Sequence, residues 1–317
     1  MKKMFKYLLY VIVAIVLVIV LFFSAVFVTN KVLVSRDSQS VKQYGQQVKV
    51  AGHKMTVLIE GEKNKQTIVL LPGFATGSPV IDFSPLRKEL SKQFRVVTVE
   101  PLGYGLSDTT SSKRNLENMS TELHDALQAL NIKDYSLMGH SISGIYTLDY
   151  MNRYPNEVKT FIGIDSSVPN QKGDNADVSQ GLSILGNSGF YRFITAVNPD
   201  MLNYPPVSAA EKRDIRKISL MGFANPAILS EAKQMATNFN ESKKLSYPKD
   251  DAVLYILSSD SVNDKTDGDW TAQHKEMLTN VKNSKIAVLD GSHYLHHTQS
   301  KAIAGLVEQF LATQNTN

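Results

Sequence analysis

The chain has 317 residues, 43% hydrophobic and 20% charged, which is the usage of a folded globular protein with one large or two smaller domains. It contains no cysteine, which excludes disulfide bonds, thiolate metal sites and a cysteine nucleophile. The net charge of +4 belongs to the N-terminus: without Lys2, Lys3 and Lys6, the 34 basic residues fall to 31 against 30 acidic ones, which leaves no basic face for a nucleic acid.

The first predicted element is a membrane-spanning helix over residues 8–28, a stretch without a charged residue. At about 1.5 Å per residue it can cross the roughly 30 Å hydrocarbon core of a bilayer. We expect an uncleaved anchor, because the apolar core of a signal peptide is typically about 7 to 15 residues and ends in small residues. The preceding lysines predict a cytoplasmic N-terminus, so that residues 1–30 form a single-pass anchor and the remaining chain is extracytoplasmic. The alternative is a secreted protein, cleaved within residues 24–30.

Residues 31–47 are largely polar and predict a short tether. Folded structure is predicted from residue 48, with a strand hairpin up to residue 60. Beyond it, apolar runs typical of strands buried on both faces alternate with helical patterns. The strands are predicted at residues 67–71, 95–100, 135–138 and 158–164, and the helices at 79–93, 116–130 and 145–154. This alternation predicts a parallel sheet with crossover helices.

The alternation stops over residues 166–249. Helical stretches at residues 179–196, 208–221 and 226–243 are separated there by Asn-Pro and Pro-Pro breaks. Their Met, Phe and Tyr residues can line a ligand pocket, although such residues at helical spacing more often form a core. The alternation resumes with strands at 252–257 and 285–289 and helices at 270–279 and 300–313. The prediction is therefore a core of residues 48–165 and 250–317 with a helical insertion over 166–249.

A serine on a tight turn is the candidate nucleophile. Residues 135–144 read Tyr-Ser-Leu-Met-Gly-His-Ser-Ile-Ser-Gly, a short strand followed at once by a helix. Ser141 lies at the corner, and Gly139 and Ser143 flank it at the positions where a large side chain would collide. The hydroxyl needs a base to take its proton before it can attack. The alternative is that Ser141 only caps the following helix.

Four motifs, in this order, resemble the alpha/beta-hydrolase superfamily from residue 48 to the C-terminus. Residues 139–143 are similar to the nucleophile elbow, and Leu-Pro-Gly-Phe at 71–74 is similar to the oxyanion loop. Residues 100–107, Glu-Pro-Leu-Gly-Tyr-Gly-Leu-Ser, are similar to an Asp-x-x-Gly-x-Gly-x-Ser loop, with Glu in place of Asp. Asp-Gly-Ser-His at 290–293 follows the last strand, where the family carries its base. The resemblance implies an α/β fold with a mostly parallel eight-stranded sheet, helices on both faces and a helical cap over 166–249.

The candidate base is His293, which is expected on a loop at the carboxyl edge of the sheet. His296 and His297 are nearby rivals. A metal site in this His-x-x-His-His cluster is disfavoured, because no carboxylate or Cys stands at ligand spacing.

The resemblance also implies an acid that orients the base, usually after the strand that follows the cap. Asp260 is the first carboxylate past that strand, and Asp264 and Asp267 share its loop. Asp165, at the end of the preceding strand, is a second location that some members use. The family geometry further implies that the backbone N–H groups of Phe74 and Ile142 stabilise the oxyanion.

These residues imply a serine hydrolase that forms and hydrolyses an acyl-enzyme on Ser141, with neither a metal nor an organic cofactor. The apolar insertion favours a small hydrophobic acyl or ester substrate. An amidase or peptidase with the same triad is an alternative, since the fold does not choose among them. A second class of function is a binding or scaffold protein on a hydrolase fold, which would be expected to lack a triad residue.

Overall fold

An eight-stranded sheet forms the centre of the molecule, which we describe for residues 2–171, 176–266 and 268–314 in a computed structural model. The strands are β1 (Gln46–Val50), β2 (His53–Glu60), β3 (Thr67–Leu71), β4 (Arg95–Glu100), β5 (Tyr135–His140), β6 (Val158–Ile164), β7 (Ala252–Ser258) and β8 (Asn283–Leu289). They lie in the order β1-β2-β4-β3-β5-β6-β7-β8. β2 pairs antiparallel with β1 and β4, and all later pairs are parallel. The predicted mostly parallel sheet is confirmed.

Helices connect the strands and cover the sheet. They are α1 (Lys2–Ser40), α2 (Pro79–Asp82), α3 (Ser84–Leu90), α4 (Leu116–Ala129), α5 (Ser143–Arg153), α6 (Ser179–Asn187), α7 (Phe190–Val197), a 3-10 helix (Pro199–Leu202), α8 (Ala209–Gly222), α9 (Pro226–Ser242), α10 (Ser259–Asn263), α11 (Trp270–Met277), α12 (Leu295–Thr298) and α13 (Ser300–Gln314). The short helices α10 and α12 were not predicted, because a single turn has too few residues to show a helical period.

The sheet is buried on both faces, which explains its continuous apolar strands. On β3, Val69 and Leu71 belong to a core that contains residues of α4 and α5. Ile68 and Leu70 point the other way, into a core with residues of α3 and α13. Because successive side chains of a strand point to opposite faces, only an unbroken apolar run can fill both cores.

Helices α6 to α9 lie between β6 and β7, where the sequence predicts the insertion. The single helix predicted at residues 179–196 is two helices, broken at Ser188 and Gly189. Gly189 has a φ of 80°, and a Cβ at this position would lie 2.5 Å from the Cβ of Asn30. The break therefore lies where the chain packs closely against α1.

α1 is a continuous helix of 39 residues, long and apolar enough to cross a membrane, although a signal sequence has the same properties. The prediction of a tether over residues 31–47 is wrong for residues 31–40, because α1 continues to Ser40. Arg192 explains the difference: its guanidinium donates to Asn30 Oδ1 at 2.9 Å and to Asp37 Oδ2 at 2.8 Å. These long-range contacts stabilise a polar helical segment that composition alone indicates as coil.

Candidate active site

Ser141 lies on the turn between β5 and α5, with a φ of 53°. This left-handed conformation is costly for a residue with a Cβ and is typical of a functional turn. A Cβ on Gly139 would lie 2.9 Å from the Cβ of Ser143, so the turn excludes larger side chains as predicted. The Ser141 carbonyl accepts from the N–H of Ser167 at 2.8 Å, and its own N–H donates to the Ile164 carbonyl at 3.3 Å. The turn is thus tied to the end of β6.

His293 lies on the loop between β8 and α12, and its Nδ1 is 2.7 Å from Asp165 Oδ2. An ionised carboxylate only accepts hydrogen bonds, so Nδ1 carries the proton and Nε2 is left as the basic nitrogen. The His293 side chain is 39% exposed, whereas Asp165 is fully buried. Ser141 and His293 form no direct hydrogen bond among the described residues, and catalytic hydrogen bonds often tighten only when substrate binds.

Asp165 directly follows β6, with a φ of 40°. Besides His293, its carboxylate accepts from the Ser258 N–H at 3.0 Å, the Ser261 hydroxyl at 2.6 Å and the Trp270 indole N–H at 2.9 Å. Burial alone would raise the pKa of Asp165, but the hydrogen bonds from His293, Ser261 and Ser258 outweigh burial and hold its pKa below the usual value. The acid is therefore ionised and fixed, as an orienting group must be.

The structure does not bring Asp260, the first candidate for the acid, to His293. Asp260 is exposed on α10, and its backbone N–H donates to the Gly291 carbonyl at 3.2 Å. β7 runs directly into α10, and the hydroxyl of Ser258 caps this helix. The residues after β7 therefore supply donors to Asp165 instead of the acid itself. The sequence favoured Asp260 as the acid, but the residue that lies beside His293 is the alternative candidate, Asp165.

Asp264, the other alternative for the acid, has no hydrogen bond to His293 among the described residues. Its exposed carboxylate accepts from the backbone N–H and the hydroxyl of Thr266, within its own loop. Asp267 lies outside the described residues. The number of residues in a loop does not give the distance between two side chains. The sequence therefore could not show which of these carboxylates lies beside His293.

The candidate oxyanion loop passes directly over Ser141. A Cβ on Gly73 would lie 3.2 Å from the Cβ of Ser141. Among the described residues, the N–H groups of Phe74 and Ile142 donate no hydrogen bond to the protein, so both remain available. Next to Phe74, Ala75 has a φ of 55°, and its N–H donates to the Tyr104 hydroxyl at 3.2 Å.

Tyr104 connects this loop to α9. Its hydroxyl donates to Glu231 Oε2 at 2.7 Å, and the hydroxyl of Tyr146 on α5 donates to Glu231 Oε1 at 2.8 Å. Glu231 is fully buried, and burial raises the pKa of its carboxyl, opposed by Arg114 and by the two tyrosines. The sequence did not indicate this network, because Tyr104, Tyr146 and Glu231 lie 42 to 127 positions apart in the chain. Buried tyrosines are also more often interpreted as core residues than as members of a site.

Glu100 takes the place of the Asp that the family carries at the start of its loop. It is buried, and its carboxylate accepts from the Tyr44 hydroxyl at 2.8 Å, the Ser78 hydroxyl at 3.0 Å and the Leu106 N–H at 2.7 Å. The Cβ of any other residue at Gly105 would overlap this carboxylate. The longer side chain therefore holds the loop together through these hydrogen bonds.

A second carboxylate, Asp82 at the end of α2, binds both rivals of His293. His296 Nε2 is 2.7 Å from Asp82 Oδ2, and His297 Nε2 is 2.8 Å from Oδ1. Burial would raise the pKa of Asp82, but the two imidazoles outweigh it and keep the pKa far below its usual value. His296 and His297 thus have a partner of their own, which leaves His293 as the imidazole beside Asp165.

The same three residues bear on the metal prediction. That prediction relied on the lack of a carboxylate near the histidines, and Asp82 supplies one from a distant part of the chain. The three ligand atoms lie within 4.8 Å of one another and can in principle hold a metal ion. Each carboxylate oxygen, however, already has an imidazole N–H at hydrogen-bond distance, so both oxygens of Asp82 have a partner without an ion.

A cavity of about 140 Å³ lies beside the oxyanion loop. It is lined by residues of this loop, by Asp82 and Tyr294, and by residues of α7, the 3-10 helix and α8, among them Tyr191, Met201 and Ile215. Its walls therefore come from the sheet's carboxyl edge and from the helices between β6 and β7.

Comparisons with known proteins agree with the fold. A family model described as the alpha/beta hydrolase fold matches residues 66–201. The uncharacterized protein YbdG of Bacillus subtilis (strain 168) is 27% identical over 98% of this chain and 99% of that protein. The 3-oxoadipate enol-lactonase 1 of Acinetobacter baylyi is 24% identical over 82% of this chain and 94% of that protein. The crystal structure of the enol-lactonase from Burkholderia xenovorans LB400 has a TM-score of 0.65 at 18% identity and covers 84% of this chain and 100% of that chain.

The chain has the alpha/beta-hydrolase fold, with an eight-stranded, mostly parallel sheet. The family model and the similar proteins agree with the resemblance to the alpha/beta-hydrolase superfamily that the four sequence motifs carry.

Proposed function

We propose that the protein is a serine hydrolase that cleaves an ester or a related acyl bond through an acyl-enzyme on Ser141. The observation that carries the proposal is the pairing of His293 Nδ1 with the buried, ionised Asp165 at 2.7 Å, at the sheet edge where Ser141 lies on its strained turn. A buried acid that fixes one imidazole nitrogen leaves the other to act as a base.

In the proposed reaction, His293 Nε2 takes the proton of the Ser141 hydroxyl as the oxygen attacks the acyl carbon. The N–H groups of Phe74 and Ile142 stabilise the oxyanion that forms. His293 then returns the proton to the leaving group, which departs and leaves an acyl-serine. A water molecule, deprotonated by the same imidazole, hydrolyses the acyl-serine and regenerates Ser141. Asp165 remains ionised throughout.

The substrate we favour is a small hydrophobic ester. Aromatic and aliphatic residues such as Phe74 and Ile215 line the cavity together with polar ones such as Asp82 and Asn203, and a lactonase, the named activity of one similar protein, also opens an ester bond. We further propose that the helices between β6 and β7 act as a cap over this cavity. An amidase or peptidase with the same triad is the alternative, to be separated by comparing matched ester and amide substrates.

Labelling with a fluorophosphonate probe tests the proposal. The wild-type chain should be labelled and should hydrolyse short-chain aryl esters, whereas Ser141→Ala should do neither. Ser112→Ala, which changes an exposed loop serine, is the matched control and should behave as wild type. An unlabelled, inactive wild-type chain would favour the binding or scaffold alternative.

We also propose that α1 is a retained single-pass anchor with a cytoplasmic N-terminus and an extracytoplasmic hydrolase domain. Lys2, Lys3 and Lys6 precede its apolar stretch, and cytoplasmic flanks carry an excess of such charges. Protease added to spheroplasts should digest the domain, and the mature chain should begin at or near Met1. A mature N-terminus within residues 24–30 would instead mean a secreted enzyme.

A further inference from the structure

Exposed apolar side chains are concentrated in one short part of the chain. Outside α1, the described residues include six large hydrophobic side chains that are exposed, and five of them lie within residues 178–201. These five are Val178 (44% exposed), Ile184 (69%), Phe193 (37%), Val197 (72%) and Met201 (52%). We call residues 178–201, which contain α6, α7 and the 3-10 helix, the apolar face. Clustered exposed apolar surface of this kind marks an interaction site.

The apolar face is continuous with the apolar part of α1. The rings of Phe193 and Phe22 lie 5.3 Å apart edge to face, and those of Phe190 and Phe23 lie 5.9 Å apart. Phe22 and Phe23 belong to the uncharged stretch over residues 8–28. Since Phe22 is six residues from the end of that stretch, α7 reaches roughly 9 Å along it.

This position corresponds to the depth of an interfacial helix, whose apolar side lies about 5–10 Å into the boundary between headgroups and acyl chains. The polar contacts of α7 point the other way along α1. Arg192 binds Asn30 and Asp37, which follow the apolar stretch. Phe190 and Phe193 therefore lie toward the membrane, and Arg192 lies toward the aqueous side.

The charges of the apolar face also fit a lipid environment. Between Val178 and Pro199 the only charged residue is Arg192, and its guanidinium is 2.8 Å from the carboxylate of Asp37. The other charged residue of the apolar face, Asp200, is exposed near its C-terminal end and has no ion pair among the described residues. From Val178 to Val197, therefore, no unpaired charge would be taken into the acyl region, where it would be costly. A water-soluble protein partner is disfavoured, because Phe190 and Phe193 of this face contact the apolar part of α1.

The apolar face also forms part of the wall of the cavity beside the candidate oxyanion loop. Tyr191 and Met201 line that cavity together with Phe74. Met201 is half-exposed and so belongs to both surfaces. A molecule that leaves the bilayer along this face would meet the cavity without passing through water.

From these contacts we propose that the apolar face inserts into the lipid surface on the side of the membrane that holds the domain, and that the substrate is an acyl-bearing amphiphile taken from the bilayer. This proposal rests on the proposed hydrolase function and on α1 as an anchor. Its test therefore carries separate controls for each.

Because the chain has no cysteine, single cysteines can report position directly. Ile184→Cys and Val197→Cys place a fluorescent label on the apolar face, Leu17→Cys places one in the proposed membrane span, and Ser112→Cys is the exposed control. The full chain, reconstituted in phosphatidylcholine vesicles, is exposed to a doxyl-lipid quencher and to aqueous iodide. We expect labels at 17, 184 and 197 to be quenched by the lipid, and the label at 112 by iodide.

The label at residue 17 distinguishes a failure of the membrane anchor from a failure of the apolar face to insert. If labels at 184 and 197 are quenched only by iodide while the label at 17 is quenched by lipid, the anchor stands and the apolar face is not inserted. If the label at 17 is also quenched only by iodide, the anchor itself is wrong, and the proposal falls with it.

Activity gives an independent readout. The double variant Ile184→Gln and Val197→Gln should keep its kcat/KM for a soluble short-chain ester, because neither residue lines the cavity. It should lose roughly ten-fold or more of its rate on a long-chain ester embedded in vesicles, as two apolar side chains no longer favour insertion. Val288→Gln, which changes an exposed apolar residue on β8, is the matched control and should lose neither rate. Equal rates for the double variant and the wild type on vesicles would overturn the proposal, whereas inactivity of the wild type on both substrates would refute the hydrolase function.

Discussion

The Nε2 atom of His140, the residue just before Ser141, lies 3.0 Å from the carbonyl oxygen of His293. A carbonyl only accepts, so His140 must carry its proton on Nε2. Burial, followed by the neighbouring imidazoles of His296 and His293, keeps the pKa of His140 well below its usual value. A neutral histidine next to the candidate nucleophile therefore fixes the loop that bears the candidate base.

Removing this anchor should impair catalysis without removing a reacting group. We expect His140→Phe to lower kcat for a soluble aryl ester by about ten- to a hundred-fold, because displacement of the base by about 1 Å is costly. KM should change little, and His140→Gln, whose amide can donate in place of the imidazole, should recover part of the loss. An unchanged kcat in His140→Phe would show that the His293 loop is held by other contacts.

The identity of the acid can be decided by two matched substitutions. Asp165→Asn should reduce kcat by about 10⁴-fold, since an amide cannot fix the imidazole in the required tautomer. Asp260→Asn, an exposed change on α10, should leave kcat within error of the wild type. Circular dichroism should show both variants folded, and the reverse pattern of activities would return the role to Asp260.

Tyr104 is expected to position the oxyanion loop through Ala75. Tyr104→Phe removes the acceptor of the Ala75 N–H and should lower kcat more than it raises KM, because the N–H of Phe74 acts mainly in the transition state. Tyr146→Phe is the matched control: it also removes a hydrogen bond to Glu231, but its hydroxyl has no bond to the loop. Equal losses in both variants would mean that the effect comes from Glu231 alone.

Glu231 should make stability depend on pH. Its folded pKa is raised by burial, so its contribution to stability is complete below the unfolded pKa of about 4.3 and is lost as pH rises through the folded pKa. Relative to Glu231→Gln, the wild type should therefore lose stability as the pH rises above about 4.3, as measured by thermal unfolding at several pH values. Glu241→Gln, an exposed change on the same helix, should show no such trend, and a wild type that gains stability over this range would contradict the assignment.

Much of the fold could be predicted because it depends on local pattern. Runs such as residues 68–71 and 161–164 contain no polar or charged residue, and only a strand covered on both faces uses such a run. The turn at Ser141 was equally local, since its need for small neighbours is visible within five residues. The helix up to Ser40 was missed because its stability depends on Arg192, more than 150 positions away.

The sequence by itself determined the order of strands and helices, the strand-to-helix turn at Ser141 and the candidate base His293, because each depends on residues that are neighbours in the chain. Only the tertiary structure decided that Asp165 faces His293, that Asp82 holds His296 and His297, and that α7 lies against α1. Each of these pairings joins side chains from separate parts of the chain, and their distance is set by how helices pack on the sheet. Packing of this kind depends on the shapes of many side chains at once, which no local pattern of residues encodes.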